Sequence, residues 1–136
     1  MLTQSKIFWR CVFRFKAVFN CVVSVVFMIW DDQIRDWLHT PHVDPINRTL
    51  FLSLAFAFGL GYWWVGREPE RNRDIARMGV FGQLSVFVIS LYAVAFAPQP
   101  LPWQLIVPGV VDLTFAIAFT IFLWRHQSAA SRTSDS

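Results

Sequence analysis

The chain has 136 residues, enough for one domain or one helical bundle. Hydrophobic residues make up 55% of it and charged residues 15%, against roughly 25% charged in ordinary soluble domains. The net charge of +3 does not indicate nucleic-acid binding, because the basic residues cluster at the ends of apolar runs. The run 78–124 carries a single charge, Asp112, and the run 49–66 carries none, so neither supplies the polar face that a soluble helix needs. We therefore predict an integral membrane protein.

The first sixteen residues alternate basic and aromatic side chains. Lys6, Arg10 and Arg14 recur every four residues and so lie on one stripe of a helix, with Lys16 just beyond them. The alkyl stems of such a stripe can reach up to lipid headgroups while the aromatic rings enter the lipid. We interpret the segment as an interfacial anchor, not as a DNA-binding arm.

A first span is predicted at 12–30, followed by an outer loop at 31–48. The span is expected to be retained, because no small-residue cleavage site follows its apolar run. His39, His42 and Asp44 in the loop are residue types that bind metals. Two prolines interrupt them and no second half of a site follows, so no metal site is predicted.

The second span, predicted at 49–66, carries small residues at regular spacing. Ser53, Ala57 and Gly61 are four residues apart and share one helix face. Small side chains let a neighbouring helix approach closely, and this packing holds helices together in lipid. We predict that this face packs against another helix.

The loop 67–77 reads REPERNRDIAR and is predicted to lie on the cytoplasmic side. Anionic lipid headgroups are the expected partners of its arginines and of two from the N-terminal stripe. This predicted headgroup set is Arg10, Arg14, Arg67, Arg71, Arg73 and Arg77. Tyr62 and Gln83 flank the loop at similar depth, so we expect a hydrogen bond between them.

Two further spans are predicted at 78–97 and 103–124, with a proline-rich turn at 98–102 between them. Residues 1–126 would form a single membrane domain. The Ser/Thr/Ala-rich tail at 127–136 is predicted to be disordered.

The distribution of positive charge predicts the topology. Apart from Arg35 and Arg48, every lysine and arginine lies in one of three segments, 1–16, 67–77 and 125–132. The positive-inside rule places these segments in the cytoplasm. The predicted fold class is an all-α integral membrane protein: an antiparallel four-helix transmembrane bundle in the bacterial inner (plasma) membrane, with both termini cytoplasmic.

Asp112 is the candidate functional residue, since it is the one acid within the predicted spans. A carboxylate at the centre of a span costs about 2.5–3.5 kcal/mol, so Asp112 should face the bundle and find a partner. Asn20 and Ser24 on the first span, and Ser90 and Tyr92 on the third, fall at similar depth. One interpretation is a polar crevice lined by Asp112, Ser24, Asn20 and Ser90 and open toward the outer side. The favoured interpretation is that Asp112 only accepts interhelical hydrogen bonds and locks the packing.

Two stretches, GYWWVGREPERNRDIARMGVFGQ and VVDLTFAIAFTIFLWR, carry a family resemblance. The chain resembles a group of uncharacterised bacterial four-span membrane proteins that are DoxX-like in size and layout. In that group an R-(D/E)-P-x-R loop joins spans two and three, and an Asp begins the last half of span four. The matching residues here are those of 67–71 and Asp112, whereas Gln83 stands where the group has lysine. The resemblance covers residues 50–125 and implies the four-span layout, with little about activity.

Three functional hypotheses follow from the sequence. The first is a non-catalytic inner-membrane protein that packs with partner subunits or its own copies, or binds a lipid-like hydrophobic molecule between its helices. The second is a proton-coupled transporter or channel subunit centred on Asp112. The third and weaker one is a quinone-linked redox subunit; because the spans contain no histidine, haem is not expected. No cofactor and no nucleic-acid partner is predicted.

Overall fold

The computed structural model describes the backbone of residues 2–96 and 103–134, and the side chains of residues 5–96 and 103–125. Four long helices make up these parts of the chain: α1 (Leu2–Leu38), α2 (Pro45–Arg67), α3 (Arg73–Phe96) and α4 (Ile106–Ser134). A short 3₁₀ helix, Trp103–Leu105, precedes α4. No strand occurs in the described ranges, and the all-helical prediction is confirmed. All four helices are long and apolar enough to cross a membrane.

Helix α1 is much longer than the first span that the sequence predicts. No proline or glycine interrupts residues 2–38, so the basic stripe and the apolar run form one helix. The helix is kinked at Trp30, where φ is −120° and ψ is 21°. It ends before His39, whose φ of 53° turns the backbone into the left-handed region. The predicted anchor and the predicted first span are therefore one continuous element.

Helix α2 begins four residues before the predicted span, at a well-formed cap. The side chain of Asp44 accepts hydrogen bonds from the backbone N–H groups of Ile46 (3.1 Å) and Asn47 (3.0 Å), and Pro45 occupies the first turn. The predicted proline turn at 98–102 lies outside the described residues. At the other end of the chain, α4 continues as helix to Ser134, into the segment predicted to be a disordered tail.

The helix backbones approach most closely in two pairs, α1 with α2 and α3 with α4. Glycine residues on α2 allow the backbones of α1 and α2 to come close together. A Cβ atom on Gly59 would lie 2.7 Å from Sγ of Cys21 and 3.1 Å from the carbonyl oxygen of Ala17. A Cβ on Gly66 would lie 2.8 Å from Cγ of Arg14. Within α2, these two glycines face α1.

The small residues singled out from the sequence occupy different positions. Gly61 is buried, and a Cβ there would lie 3.2 Å from Cγ2 of Ile75 on α3. Ser53 and Ala57 are exposed on the surface of α2. The α1–α2 contact therefore uses the face that carries Gly59, not the face that carries Ser53 and Ala57. Packing of that second face against another helix stays a prediction.

Helices α1 and α4 contact each other through large side chains, and their backbones do not approach closely. Phe13 and Phe119 have ring centroids 4.3 Å apart, and Trp9 and Phe122 have centroids 5.5 Å apart. All four side chains are buried. They form the centre of a core that lies at one end of the helices and is completed by Ala17, Tyr62, Val65 and Ala76.

Gly59→Ala tests the close packing of α1 on α2. The added methyl group overlaps Sγ of Cys21, and overpacking costs about 1–3 kcal/mol. This cost should exceed the roughly 0.5–1 kcal/mol that a helix gains when alanine replaces glycine. Gly82→Ala is the matched control, because its Cβ would meet Cζ of Phe58 at an ordinary 3.5 Å. Denaturant unfolding in micelles should show a loss for Gly59→Ala and none for Gly82→Ala; equal stabilities would contradict this packing.

Candidate functional site

Asp112, the candidate functional residue predicted from the sequence, forms an ion pair with a lysine on another helix. Nζ of Lys16, on α1, donates to Oδ1 of Asp112, on α4, at 2.5 Å. The Lys16 side chain is 2% exposed and the Asp112 side chain 19% exposed. The cost of burying a charge predicts that Asp112 has a partner, whereas the charge pattern of residues 1–16 assigns Lys16 to the edge of the interfacial stripe.

Lys16 points away from that stripe because of its position on the helix. It follows Arg14 by two residues, which places the two side chains on nearly opposite faces. Trp9, Phe13, Lys16 and Asn20 recur at helical spacing, and the first three are buried. This shared spacing is the sequence signal that could have identified Lys16 as an interior residue.

Aromatic rings surround the ammonium group of Lys16. Nζ lies 4.8 Å from the ring centroid of Phe115 and 5.2 Å from that of Phe19. The negative faces of aromatic rings attract cations, most strongly where water is excluded. Burying either ion alone costs several kcal/mol, and the pair offsets this only while both partners are present. The geometry therefore suits a structural link between α1 and α4.

None of the residues predicted to line a crevice with Asp112 hydrogen-bonds to its carboxylate in the described part of the chain. Nδ2 of Asn20 donates to the carbonyl oxygen of Ala55 at 3.3 Å, across the α1–α2 contact. Ser24 is buried, and its Oγ has no hydrogen-bond partner within the described part of the chain. Ser90 is half-buried against Gly109, where a Cβ would lie 3.0 Å from Cβ of Ser90.

Tyr92, the other residue predicted at a depth similar to that of Asp112, is on an outer face. It is 66% exposed, and its ring lies 5.2 Å from that of Phe96 on the same helix. Among the described hydrogen bonds of Asp112, the one side-chain donor is Lys16. The structure therefore joins Asp112 to Lys16. Among the described residues it shows no hydrogen bond from Asn20, Ser24, Ser90 or Tyr92 to Asp112.

A second polar contact inside the bundle joins α2 to α3. Nε2 of Gln83 donates to the hydroxyl oxygen of Tyr62 at 3.1 Å, and both side chains are buried. The hydrogen bond expected between these two residues is confirmed. The ring of Tyr62 also meets Phe119 edge-on, with centroids 5.2 Å apart, and a Cβ on Gly79 would overlap it. This cluster links three helices next to the ion pair.

The arginines predicted to contact lipid headgroups differ in their surroundings. Arg14 lies over the ring of Trp63 at 5.6 Å, and Arg77 pairs with Asp74 at 2.6 Å. Arg73 is half-buried, with its Nε unpaired among the described atoms. The exposed remainder consists of Arg67, Arg10 and Arg71, and the last two line a cavity at this end of the helices.

Comparisons with protein-family models, with curated proteins and with solved structures find no match to this chain. The DoxX-like resemblance of residues 50–125 therefore stays a prediction. Two features of the structure bear on function. They are the Lys16–Asp112 ion pair and the basic end of the helices, where Arg10 and Arg71 line a cavity.

The Lys16–Asp112 pair can be tested by changing one partner and then both. Lys16→Met or Asp112→Leu alone leaves the charge of the other partner buried without compensation and should lower the free energy of unfolding by about 3–5 kcal/mol. The double variant Lys16→Met/Asp112→Leu should recover most of that loss, because an apolar pair of similar volume needs no desolvation. Denaturant titration in micelles measures all three variants.

Asp74→Asn is the control for this cycle, since it breaks an exposed aspartate pair with Arg77. Exposed pairs contribute about 0–1 kcal/mol, so the control should remain close to the unmodified chain. Additive losses in the Lys16/Asp112 double variant would show that the two side chains do not interact.

Proposed function

We propose that this chain is a non-catalytic protein of the bacterial inner membrane that binds a lipid-like molecule between its helices. In this proposal the four helices cross the bilayer antiparallel to one another, with both termini in the cytoplasm, as in the DoxX-like layout. A partner subunit or a second copy could occupy the same apolar faces. The following observations support the proposal.

The main observation in support of a membrane location is that every helix exposes large apolar side chains on its outer surface. Examples, one on each helix in chain order, are Phe15, Leu54, Phe81 and Ile117, all more than half exposed. Soluble monomers rarely expose apolar patches of such extent. A bilayer supplies the surroundings that these faces need, and the four helices have the length to cross it.

The polar groups inside the bundle support a non-catalytic role. Lys16 bonds to Asp112, Gln83 to Tyr62, and Asn20 to a backbone carbonyl of α2. Each contact joins two different helices, so each of these groups is used in holding helices together. In an apolar medium such interhelical hydrogen bonds are a main source of specific association.

The basic end supports the proposed topology. The cavity there is lined by residues from the start of α1, from the turn after α2 and from the later part of α4. Three segments that lie far apart in sequence therefore meet on one side of the helices. Because that side carries Lys6, Arg10 and Arg71, the positive-inside rule assigns it to the cytoplasm.

Cysteine labelling tests insertion and topology together. The natural cysteines, Cys11 and Cys21, are first replaced by serine, and single cysteines are introduced as His42→Cys or Ser128→Cys. In intact spheroplasts a membrane-impermeant maleimide should label position 42 at once and position 128 only after permeabilisation. The opposite pattern, or a chain that stays monomeric and folded without detergent, would refute the proposal.

A second candidate function is proton-coupled transport centred on Asp112. It is favoured by the uneven burial of the ion pair, because the carboxylate is 19% exposed whereas Lys16 is 2% exposed. Intramembrane ionisable residues of this kind mark ion pathways in many transporters.

Proteoliposomes that contain a pH-sensitive dye distinguish the two functions. If the chain is the proposed non-catalytic protein, an imposed pH gradient should decay no faster than in protein-free vesicles. Under the transport alternative the gradient decays at least several-fold faster, and the Lys16→Met/Asp112→Leu variant, chosen because it should stay folded, abolishes the difference.

A further inference from the structure

A cavity of about 240 Å³ opens at the basic end of the helices. Its walls come from α1, from the turn that connects α2 to α3, and from α4. The lining residues are Lys6, Trp9, Arg10, Glu68, Pro69, Glu70, Arg71 and Phe122. One water molecule takes up roughly 30 Å³ of liquid, so a phosphate-sized group fits.

The turn that forms one wall is held in place by its own hydrogen bonds. Nδ2 of Asn72 donates to the carbonyl oxygens of Trp64 and Glu68, both at 3.1 Å, and so caps the end of α2. The backbone N–H of Arg71 donates to the carbonyl oxygen of Glu68 at 3.2 Å. Pro69, which is buried, stiffens the same turn. The wall is therefore a defined surface.

The charges in the cavity leave one cation without a partner. Nζ of Lys6 pairs with Glu70 at 3.1 Å, and Nη1 of Arg71 pairs with Glu68 at 3.4 Å. Arg10 makes no ion pair and no hydrogen bond among the residues that the structure describes. Over the five charged side chains the balance is one positive charge. A monoanion would neutralise it.

A buried donor in the wall also lacks an acceptor. Trp9 is 4% exposed, and its Nε1 has no hydrogen-bond partner among the described atoms. Buried polar groups without a partner are rare and call for an explanation, such as a ligand. Phosphate oxygens accept from guanidinium and from indole N–H groups alike.

We infer that this cavity binds a phosphate-bearing monoanion, the phosphodiester headgroup of an anionic membrane phospholipid. Arg10 supplies the charge and Arg71 supplies donors beside it. Nε1 of Trp9 has no exposed surface, so the Trp9 ring turns toward the cavity to donate its N–H to the phosphate. The apolar chains of the lipid lie along Phe8, which is exposed next to Trp9 with ring centroids 5.0 Å apart. The inference deepens the proposed function and rests on it, because it names the lipid class and the place where it binds.

Native mass spectrometry of the full chain tests the lipid class. The protein is released from micelles that hold equal amounts of phosphatidylglycerol and phosphatidylcholine, and the retained lipids are counted. The unmodified chain should retain one phosphatidylglycerol in preference to phosphatidylcholine. Arg10→Gln should weaken that retention by roughly tenfold or more, because it removes a charge-assisted hydrogen bond to the phosphate. Trp9→Phe keeps the aromatic contact with Phe122 and should weaken retention roughly fivefold.

Arg125→Gln is the matched control. Arg125 is exposed on α4, three residues after Phe122, and does not line the cavity, so this variant should retain the lipid like the unmodified chain. If both arginine variants lose the lipid equally, or if neither lipid is preferred, the inference is overturned. Inorganic phosphate is then added as a competitor. If it displaces the lipid only from chains that keep Arg10, the result supports the anion site and identifies soluble phosphate as a competitor for it.

The cysteine-labelling experiment separates this inference from the proposed function. A chain that labels in the expected pattern but shows no lipid preference refutes the cavity assignment and leaves the membrane proposal standing. A chain that proves soluble refutes the membrane proposal and the lipid source together; phosphate binding in plain buffer, lost in Arg10→Gln, would then still support the anion site.

Discussion

The ion pair between Lys16 and Asp112 is the constraint on which the arrangement of the helices depends. Two opposite charges lie among apolar side chains, where neither could remain alone without a cost of several kcal/mol. Their contact fixes which residues of α1 and α4 lie at the same level. The aromatic contacts of Phe13 and Trp9 with α4 follow from that alignment. The hydrogen bond of Gln83 to Tyr62 joins α2 to α3 beside the same aromatic core.

The interior of the bundle and its basic end have different roles. Among the interior polar groups, Lys16, Asp112, Gln83 and Tyr62 are used for contacts between helices, so they fix the bundle. The basic end keeps Arg10 unpaired within the described chain, beside a cavity that a stiff turn holds open. Binding at that end fits a protein whose interior is structural. An unpaired cation near a lipid surface attracts anionic headgroups.

The sequence predicted the helices well because hydrophobicity alone decides where long apolar runs lie, and the need of Asp112 for a partner follows from the cost of burying a charge. The identity of that partner was missed, since a hydropathy boundary assigned Lys16 to the interface although its spacing from Trp9 and Phe13 places it inside. Spacing also could not decide which small-residue face of α2 meets α1. The structure selects Gly59, and that choice depends on how Cys21 and Ala17 lie against it.

The most direct test of this account is the distance between the Lys16 ammonium and the Asp112 carboxylate in a lipid bilayer. The chain has two lysines, Lys6 and Lys16, so ¹⁵N labelling of lysine gives two signals for solid-state NMR. The account predicts that one signal is dipolar-coupled to the aspartate carboxyl carbon within about 4 Å, the reach of an ion pair. It also predicts that the coupling disappears in Asp112→Asn. Two solvent-exchanging lysine signals without such a coupling would contradict it.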